Sequence, residues 1–422
     1  MKTASPQKIH FIGIGGAGVA PLAELALGNG ISVSGSDCEP NAKSAALAAH
    51  GARIFAGHAT GNLDPDTDLV VYSSAVPSDN PERRRAAVLG IPEMRRGEYL
   101  GLFLRRYRRV VAVSGSHGKS SITTAIAAIL RAAGLEPGYL IGAEVGGGLG
   151  SCAPGRGNDI FVTEVDESDG THTLVTPFLG VVPNVETDHS WSVGGVAALC
   201  ENFRRFGEKC SELIYYSGEI SDRLFADHPA ARRIALPPPD FRFAGRAGFQ
   251  AQNLRLAVEA VRRFGIEESA AQELAAQVPG VARRMTTRFV ADGLEVVEDY
   301  AHHPTEVAAA LRLLRLNYPG RHLRVVIQPH RFARLEAFFD DFVSVLREAD
   351  SVIVARVFAA WSESGCVDGA ALAAACGGEY LGDDWETIAR RLLATPRPGV
   401  AAVLGAGDLD HIFPFLPQPE RN

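Results

Sequence analysis

Short apolar runs alternate with amphipathic stretches along most of the chain, and this alternation predicts strands followed by helices. Lys8–Ile14 reads as a strand running into a glycine turn, Gly13-Ile14-Gly15-Gly16-Ala17-Gly18, and a helix from about Val19 to Leu27. Ile31–Gly35 reads as a second strand ending at Ser36-Asp37, and Leu69–Ser73 as another ending at Ser74-Ala75. Further on, Ala112-Val113 closes an apolar strand, and the helix expected over Ser121–Ala133 places Ala125, Ile126, Ile129 and Leu130 on one face. Asp159–Val165, Leu179–Pro183 and Leu213–Tyr216 read as strands, and Pro237-Pro238-Pro239 breaks the chain before a helix near Asn253–Phe264. The last third predicts strands at Val296–Asp299, Val325–Ile327, Ser351–Ala355 and Ala401–Leu404. Helices fall between them, for instance Thr305–Leu316 and Leu335–Ala349. Strands alternating with helices imply parallel sheets, so the fold class is α/β.

Three segments follow from this pattern. Residues 1–108 form a doubly wound unit, 109–280 a second unit that opens with a glycine loop, and 281–422 a third. The basic run Arg105-Arg106-Tyr107-Arg108-Arg109 marks the first boundary. At 422 residues with 46% hydrophobic and 22% charged positions, the composition is that of a soluble globular protein. The net charge of −7 favours neither nucleic acid nor an acidic membrane surface. The six cysteines are scattered without a C-x-x-C pair and suit a reducing cytosol, so a cytoplasmic location is expected. No signal peptide and no apolar run of membrane-spanning length is read. Nothing in the sequence chooses between a monomer and a homodimer.

The candidate chemistry sits at the ends of the strands. Gly115-Ser116-His117-Gly118-Lys119-Ser120-Ser121 joins a strand to a helix. The backbone N–H groups and the helix dipole of such a turn cradle phosphate, Lys119 can reach a β/γ-phosphate, and the Ser120 hydroxyl can sit on Mg²⁺. Only five of the 42 basic residues are lysine, so a lysine in this loop carries weight. Gly13-x-Gly15-x-x-Gly18 after a strand, with Asp37 ending the next strand, is a nucleotide-binding fingerprint. NAD is one reading of it, but a second phosphate loop and a run of metal-type residues are more than a dehydrogenase needs. Glu164 and His189, both at strand ends, supply further oxygen and nitrogen ligands for divalent ions. Asp299-Tyr300-Ala301-His302-His303-Pro304 and Gln328-Pro329-His330-Arg331-Phe332-Ala333-Arg334 also lie at strand ends. Arg331 and Arg334, three apart on a helix start, would face one way and fork a carboxylate or phosphate.

The loop is G-x-x-G-K-S rather than the usual G-x-x-x-x-G-K-[ST], and in this it resembles the ATP site of the Mur ligase and folylpolyglutamate synthetase superfamily. Further motifs in the same order resemble the Mur ligases over essentially the whole chain: Ser34-Gly-Ser-Asp37, Tyr72-Ser-Ser-Ala75, Asp79-Asn-Pro-Glu82, Glu164-Val-Asp-Glu-Ser-Asp169, Asn184-Val-Glu-Thr-Asp-His189, Asp299-Tyr-Ala-His-His-Pro-Thr-Glu306, Gln328-Pro-His-Arg331 and Gly405-Ala-Gly407. The resemblance implies a three-domain architecture: a Rossmann-like N-terminal domain, a P-loop ATPase-like central domain and a Rossmann-like C-terminal domain.

It also implies an ATP- and Mg²⁺-dependent ligase, acting on small molecules and not on nucleic acid or membrane. The nearest branch joins L-alanine to the lactyl carboxylate of UDP-N-acetylmuramate through an acyl phosphate, in peptidoglycan precursor synthesis. A relative that attaches a recycled peptide to the same nucleotide sugar is the alternative, as is a divergent, non-catalytic binder of UDP-muramyl nucleotides. On this likeness Gly15, Gly16, Ala17, Gly18, Asp37, Ser73 and Ser74 hold the UDP-sugar, and Gly115–Ser121 hold ATP. Phe249, Gln250, Asn253 and Arg284 complete the ATP site. Ser120, Glu164 and His189 would ligate metal. Lys119, His302, Arg331 and Arg334 would serve the chemistry, with Tyr300 and His330 at the amino acid. Closure over the acyl phosphate is expected, to keep water from it.

The chain departs from the family pattern in several places. Trp191 stands where a second Asp is usual, Phe249-Gln250 replace a His-Asn pair at adenine, Ala301 replaces a glycine, and Arg283-Arg284-Met285 replaces Arg-Arg-Phe. Only 36 residues separate Tyr216 from Asn253, where the family carries several more strands. L-alanine, glycine, L-serine and a short peptide all present the same α-amine, so the amino acid stays open.

Overall fold

The computed structural model describes residues 6–188, 190–360 and 365–417. The chain divides into two compact units: residues 1–236 with 253–279, and residues 237–252 with 280–422.

The first unit holds two sheets. One contains β1 (Lys8–Ile12), β2 (Ser32–Asp37), β3 (Arg53–Ala56), β4 (Leu69–Tyr72) and β5 (Glu93–Arg95) in the order β3-β2-β1-β4-β5, all parallel. The strands of this sheet are connected through helices or a short 3₁₀ turn, as parallel pairing requires. The helix Pro81–Leu89 shows how its limits are set. The Asn80 side chain accepts from the backbone of Glu82 and Arg83, Pro81 opens the first turn, and Gly90 ends it at φ 69°.

The other sheet contains β6 (Arg109–Val113), β7 (Gly138–Leu140), β8 (Cys152–Ala153), β9 (Ile160–Glu164), β10 (Leu179–Val182), β11 (Glu212–Tyr216) and β12 (Ala231–Ile234). Its order is β12-β11-β10-β6-β9-β7-β8, with β8 alone antiparallel. The central strand β6 is flanked by β9 and β10, so the loops leaving these three strands share one edge. An aromatic cluster lies within the same unit: Phe161 of β9 packs against Phe103 and Tyr107 at ring distances of 5.7 and 4.7 Å. Truncating such a buried ring costs about 3–5 kcal/mol.

The second unit holds the hairpin β13 (Arg242–Phe243) and β14 (Arg246–Ala247), and a six-stranded sheet. The latter contains β15 (Thr286–Ala291), β16 (Leu294–Asp299), β17 (His322–Ile327), β18 (Ser351–Ala355), β19 (Glu379–Gly382) and β20 (Gly399–Leu404). The order is β15-β16-β20-β17-β18-β19, parallel except for β15. The helix expected over 335–349 is two helices, Phe332–Ala337 and Phe339–Leu346, broken at Phe338. Its ring packs edge-on against His303, 4.5 Å between centroids, a tertiary contact that no local pattern announces. No helix among the described residues is long and apolar enough to cross a membrane. All six cysteines are free.

Candidate active site

In the first unit two glycine loops leave the C-terminal edges of the two sheets. After β1, Gly13 and Ile14 donate to the Ser36 carbonyl, and Gly15 donates to the Asp37 carboxylate at 2.8 Å. Asn41 closes the loop from above, donating to the Gly15 carbonyl at 3.1 Å. Asp37 thus shapes the loop before it meets any ligand. A Cβ on Gly15 would fall 2.8 Å from the Asn41 amide nitrogen, which explains glycine there. Ser73 lies beside Gly13, half-buried, while Ala17, Gly18 and Ser74 are exposed. Arg96 covers Gly18 and pairs with Asp169 at 2.5 Å.

Beneath this loop lies a buried carboxylate. Glu82 accepts from Ser36 Oγ (2.5 Å), Asn62 Nδ2 (2.6 Å) and the Ala59 amide (3.1 Å), with His10 Nε2 at 3.3 Å. Burial alone would raise its pKa, but the bonds from His10, Ser36 and Asn62 outweigh burial and hold it below the usual carboxylate value. The sequence singled out Asp79-Asn-Pro-Glu82 only as a signature; its physical content is this anchor.

The second loop runs from β6 into the helix Lys119–Ala132, whose buried face carries Ile122, Ala125, Ile126, Ile129 and Leu130. Gly118 caps it at φ 85°, and a Cβ there would lie 2.8 Å from Asn253 Oδ1. Asn253 is therefore seated on the loop. The Asn184 side chain accepts from the His117 amide (2.8 Å) and donates to its carbonyl (3.2 Å), and the Ser116 hydroxyl accepts from the Glu186 amide (2.9 Å). The run after β10 thus fixes the loop's shape.

Lys119 Nζ donates to the Gly115 carbonyl (2.7 Å) and to both Glu167 oxygens (2.9 and 3.2 Å). Burial works against its charge, but Glu167, Asp166 and Glu164 outweigh it and raise the Lys119 pKa, so the ammonium form is held. Burial pushes the Glu167 carboxyl up to about 7 against the opposing pull of Lys119. Ser120 Oγ donates to Glu164 at 2.7 Å, which brings the two expected metal ligands together at the helix start. Burial raises the Glu164 pKa despite that bond and Lys119. A desolvated carboxylate beside a hydroxyl, at the start of a helix, is a donor set suited to a hard divalent cation. Ser121 begins the same helix. His189 lies outside the described residues, and Asp188 before it is buried.

In the second unit the expected residues gather at the ends of β16 and β17. The rings of Tyr300 and His302 lie 5.4 Å apart, those of His302 and His330 5.5 Å, and His330 stacks on Phe358. His302 Nδ1 sits 2.9 Å from the Tyr300 carbonyl and 3.2 Å from Glu306. Arg284 lies over the Tyr300 ring and 3.6 Å from Glu306. Its neighbours Arg283 and Met285 both hold left-handed backbone, at φ 57° and 49°. Asp299 receives the Met285 and Ala301 amides, and burial lifts its carboxyl to about 6. Phe249 and Gln250 are half-buried in the first turn of the helix Gly248–Val261.

One geometric expectation fails. Arg331 precedes its helix at φ 70°, whereas Arg334 is inside it, buried, and donates to the His330 carbonyl at 3.1 Å. The two do not share a helix face, because positive φ at Arg331 turns the chain before the helix begins. The residues that sequence reasoning left unassigned are Asn184, Glu167, Glu306 and Gln328. Gln328 is fully buried and exchanges two hydrogen bonds with Asp408, at 2.7 and 3.0 Å. All four sit within the quoted motifs, so the signal was present as pattern without role.

Residues 8–108 match the model of the Mur ligase family, catalytic domain, and residues 283–408 that of the Mur ligase, glutamate ligase domain. A UDP-N-acetylmuramate–L-alanine ligase of Acidithiobacillus ferrooxidans is 34% identical over 98% of this chain and 97% of its own length. One from Synechococcus elongatus is 32% identical over 96% and 95%. Among solved structures, UDP-N-acetylmuramate-alanine ligase from Thermotoga maritima aligns with a TM-score of 0.78 at 23% identity, covering 97% of this chain and 98% of that one. A murein peptide ligase from Psychrobacter arcticus aligns at 0.67 and 21%, covering 96% and 97%; both are likenesses of fold.

Proposed function

The chain belongs to the Mur ligase family, and from that premise we propose that it is an ATP-dependent ligase joining L-alanine to the lactyl carboxylate of UDP-N-acetylmuramate. The observation that carries the reading is the phosphate loop in which Lys119 stands beside the paired Ser120 and Glu164, in a chain similar over nearly its whole length to L-alanine ligases. The segments 1–108, 109–280 and 281–422 serve in turn the nucleotide sugar, ATP, and the incoming amino acid. The six free cysteines suit a reducing cytosol, the compartment we propose for the reaction.

The lactyl carboxylate attacks the γ-phosphorus of ATP, ADP leaves, and an acyl phosphate remains. The amine of L-alanine then attacks the acyl carbon, loses a proton, and phosphate departs. The chain's part is to position and neutralise. The amides of Gly115–Ser121 and the Lys119 ammonium take the phosphate oxygens. Ser120 and Glu164 would hold Mg²⁺, which supplies charge neutralisation at the transferring phosphoryl group. Gly15, Gly16, Ala17 and Gly18 take the UDP diphosphate, with Asp37, Ser73 and Ser74 along the nucleotide sugar. Phe249 stacks on adenine and Gln250 hydrogen-bonds it. In the second unit Tyr300, His302, His330, Arg331 and Arg334 serve the amino acid and its reaction, with Arg284 at ATP.

The test is phosphate release by the purified protein with Mg-ATP and UDP-N-acetylmuramate, with and without L-alanine, beside Lys119→Ala. Release that needs both substrates and is lost in the variant is expected. No release with L-alanine, glycine, L-serine or a peptide, while the nucleotide sugar still binds, would assign the chain to the non-catalytic binders.

A further inference from the structure

The strand β7 lies beside β9 with Leu140 paired to Thr163, and β9 lies beside β6 with Glu164 paired to Val113. Ile141 and Gly142, which follow β7, therefore pass Glu164 at the same sheet edge from which the phosphate loop leaves. Nothing in the quoted motifs covers these two residues.

Gly142 is exposed, yet a side chain on it has no room. A Cβ there would overlap Glu164 Oε1 and lie 2.9 Å from Glu164 Cδ; its third-nearest neighbour is Glu164 Oε2 at 3.7 Å. All three are atoms of one carboxyl group. The φ of Gly142 lies outside the left-handed region, so the backbone itself would admit alanine. The obstacle to a side chain is thus the carboxyl group, not the turn.

Neither side can retreat cheaply. Glu164 Oε2 accepts from Ser120 Oγ at 2.7 Å, so swinging the carboxylate away breaks that bond. On the other side Ile141 is fully buried and its amide donates to the Ser151 carbonyl at 2.7 Å, while the buried Tyr139 donates its hydroxyl to the Leu149 carbonyl. The Gly142 amide also acts on the carboxylate, favouring the ionised form that burial opposes.

We propose that Gly142 is a positioning residue for the cation site: lacking a side chain, it lets the Glu164 carboxylate lie against the backbone after β7 and so fixes which oxygen faces Ser120. Oε1 is backed by Gly142 and Oε2 stands beside the Ser120 hydroxyl, so a cation held by these two residues meets a carboxylate of one orientation. Groups that orient a metal ligand in this way govern affinity as well as geometry. The inference rests on the proposed role of Ser120 and Glu164 toward Mg²⁺.

The test is calorimetric titration of the β,γ-methylene analogue of ATP into the full chain, once with Mg²⁺ and once with EDTA. The ratio of the two affinities measures what Mg²⁺ adds. In Gly142→Ala that ratio falls about tenfold, while the affinity in EDTA stays within about twofold of wild type. Glu164→Asp draws the carboxylate back by one methylene, and adding Gly142→Ala to it changes the ratio less than about twofold. Thermal melting gives a second reading that needs no metal. Gly142→Ala lowers the melting temperature of wild type but not that of Glu164→Ala, where the added methyl meets no carboxylate. An unchanged ratio in Gly142→Ala, an equal loss of affinity with and without Mg²⁺, or an equal drop in melting temperature in both backgrounds would overturn the role of Gly142 alone. A wild type whose affinity ignores Mg²⁺ would overturn the cation reading and this role with it.

Discussion

Replacing Glu167 by Gln should tighten ATP binding, although it removes the partner of Lys119, the lysine proposed to bind ATP. Without nucleotide, Lys119 Nζ is committed to Glu167 at 2.9 and 3.2 Å and to the Gly115 carbonyl at 2.7 Å. To give its charge to a phosphate, the ammonium has to loosen the first of these. A hydrogen bond involving a charged group nets about 1.5–3 kcal/mol, and glutamine keeps one oxygen acceptor, so roughly half of that is released. About 1 kcal/mol corresponds to roughly five- to tenfold tighter ATP binding.

The effect should depend on pH. With its carboxyl near 7, Glu167 is mostly ionised at pH 8 and mostly protonated at pH 6, where wild type comes to resemble the variant. Because that folded value lies above the 4.5 of a free glutamate, Glu167 contributes most to stability below 4.5. That contribution is lost as pH rises through about 7. Calorimetric titration of ATP into both proteins at pH 8 and pH 6, without the nucleotide sugar, checks this. Binding by Glu167→Gln no tighter than wild type at pH 8, or a difference that persists at pH 6, would refute the reasoning.

Other substitutions probe the remaining parts. Gly118→Ala forces a side chain into left-handed backbone and against Asn253 Oδ1 at 2.8 Å, so ATP-dependent phosphate release should fall about 10- to 100-fold; near wild-type turnover would show that the loop yields. Phe249→Ala should weaken ATP about 5- to 100-fold if the ring stacks on adenine, and unchanged affinity in the same calorimeter would end that assignment. Glu82→Ala strands the donors of Ser36, Asn62 and Ala59 in the interior and should cost about 3–5 kcal/mol, read from urea unfolding of the full chain; a loss under about 1 kcal/mol would mean that the anchor is dispensable.

The sequence was most legible where function and local structure coincide. The phosphate loop and its helix were placed within two residues, Ser121–Ala133 expected against Lys119–Ala132 found, because strand, glycine, lysine and serine leave the chain few other choices. Ser120 and Glu164 were read as ligands of one ion, and the structure pairs β6, which leads into the Ser120 loop, with β9, which ends at Glu164. Less legible were elements held by partners far along the chain. Residues 138–140 and 152–153 are too short to show a period, and β15 alternates weakly because much of it faces solvent. The break at Phe338 accompanies its ring contact with His303, and neither it nor the positive φ at Arg331 falls on a glycine or proline.

The first unit is also discontinuous along the chain: residues 253–279 return to it after residues 237–252 have joined the other unit. The helix Glu268–Ala275 packs on the helix Lys119–Ala132, and Asn253 on Gly118. A ribosome that has released residues 1–236 has therefore delivered the whole phosphate loop without the side chain that sits on it. The packing around this loop is finished late in synthesis, after more than half of the chain has emerged. A released fragment ending at Leu236 should leave the loop helix open to protease and hydrogen exchange, and one ending at Pro279 should protect it.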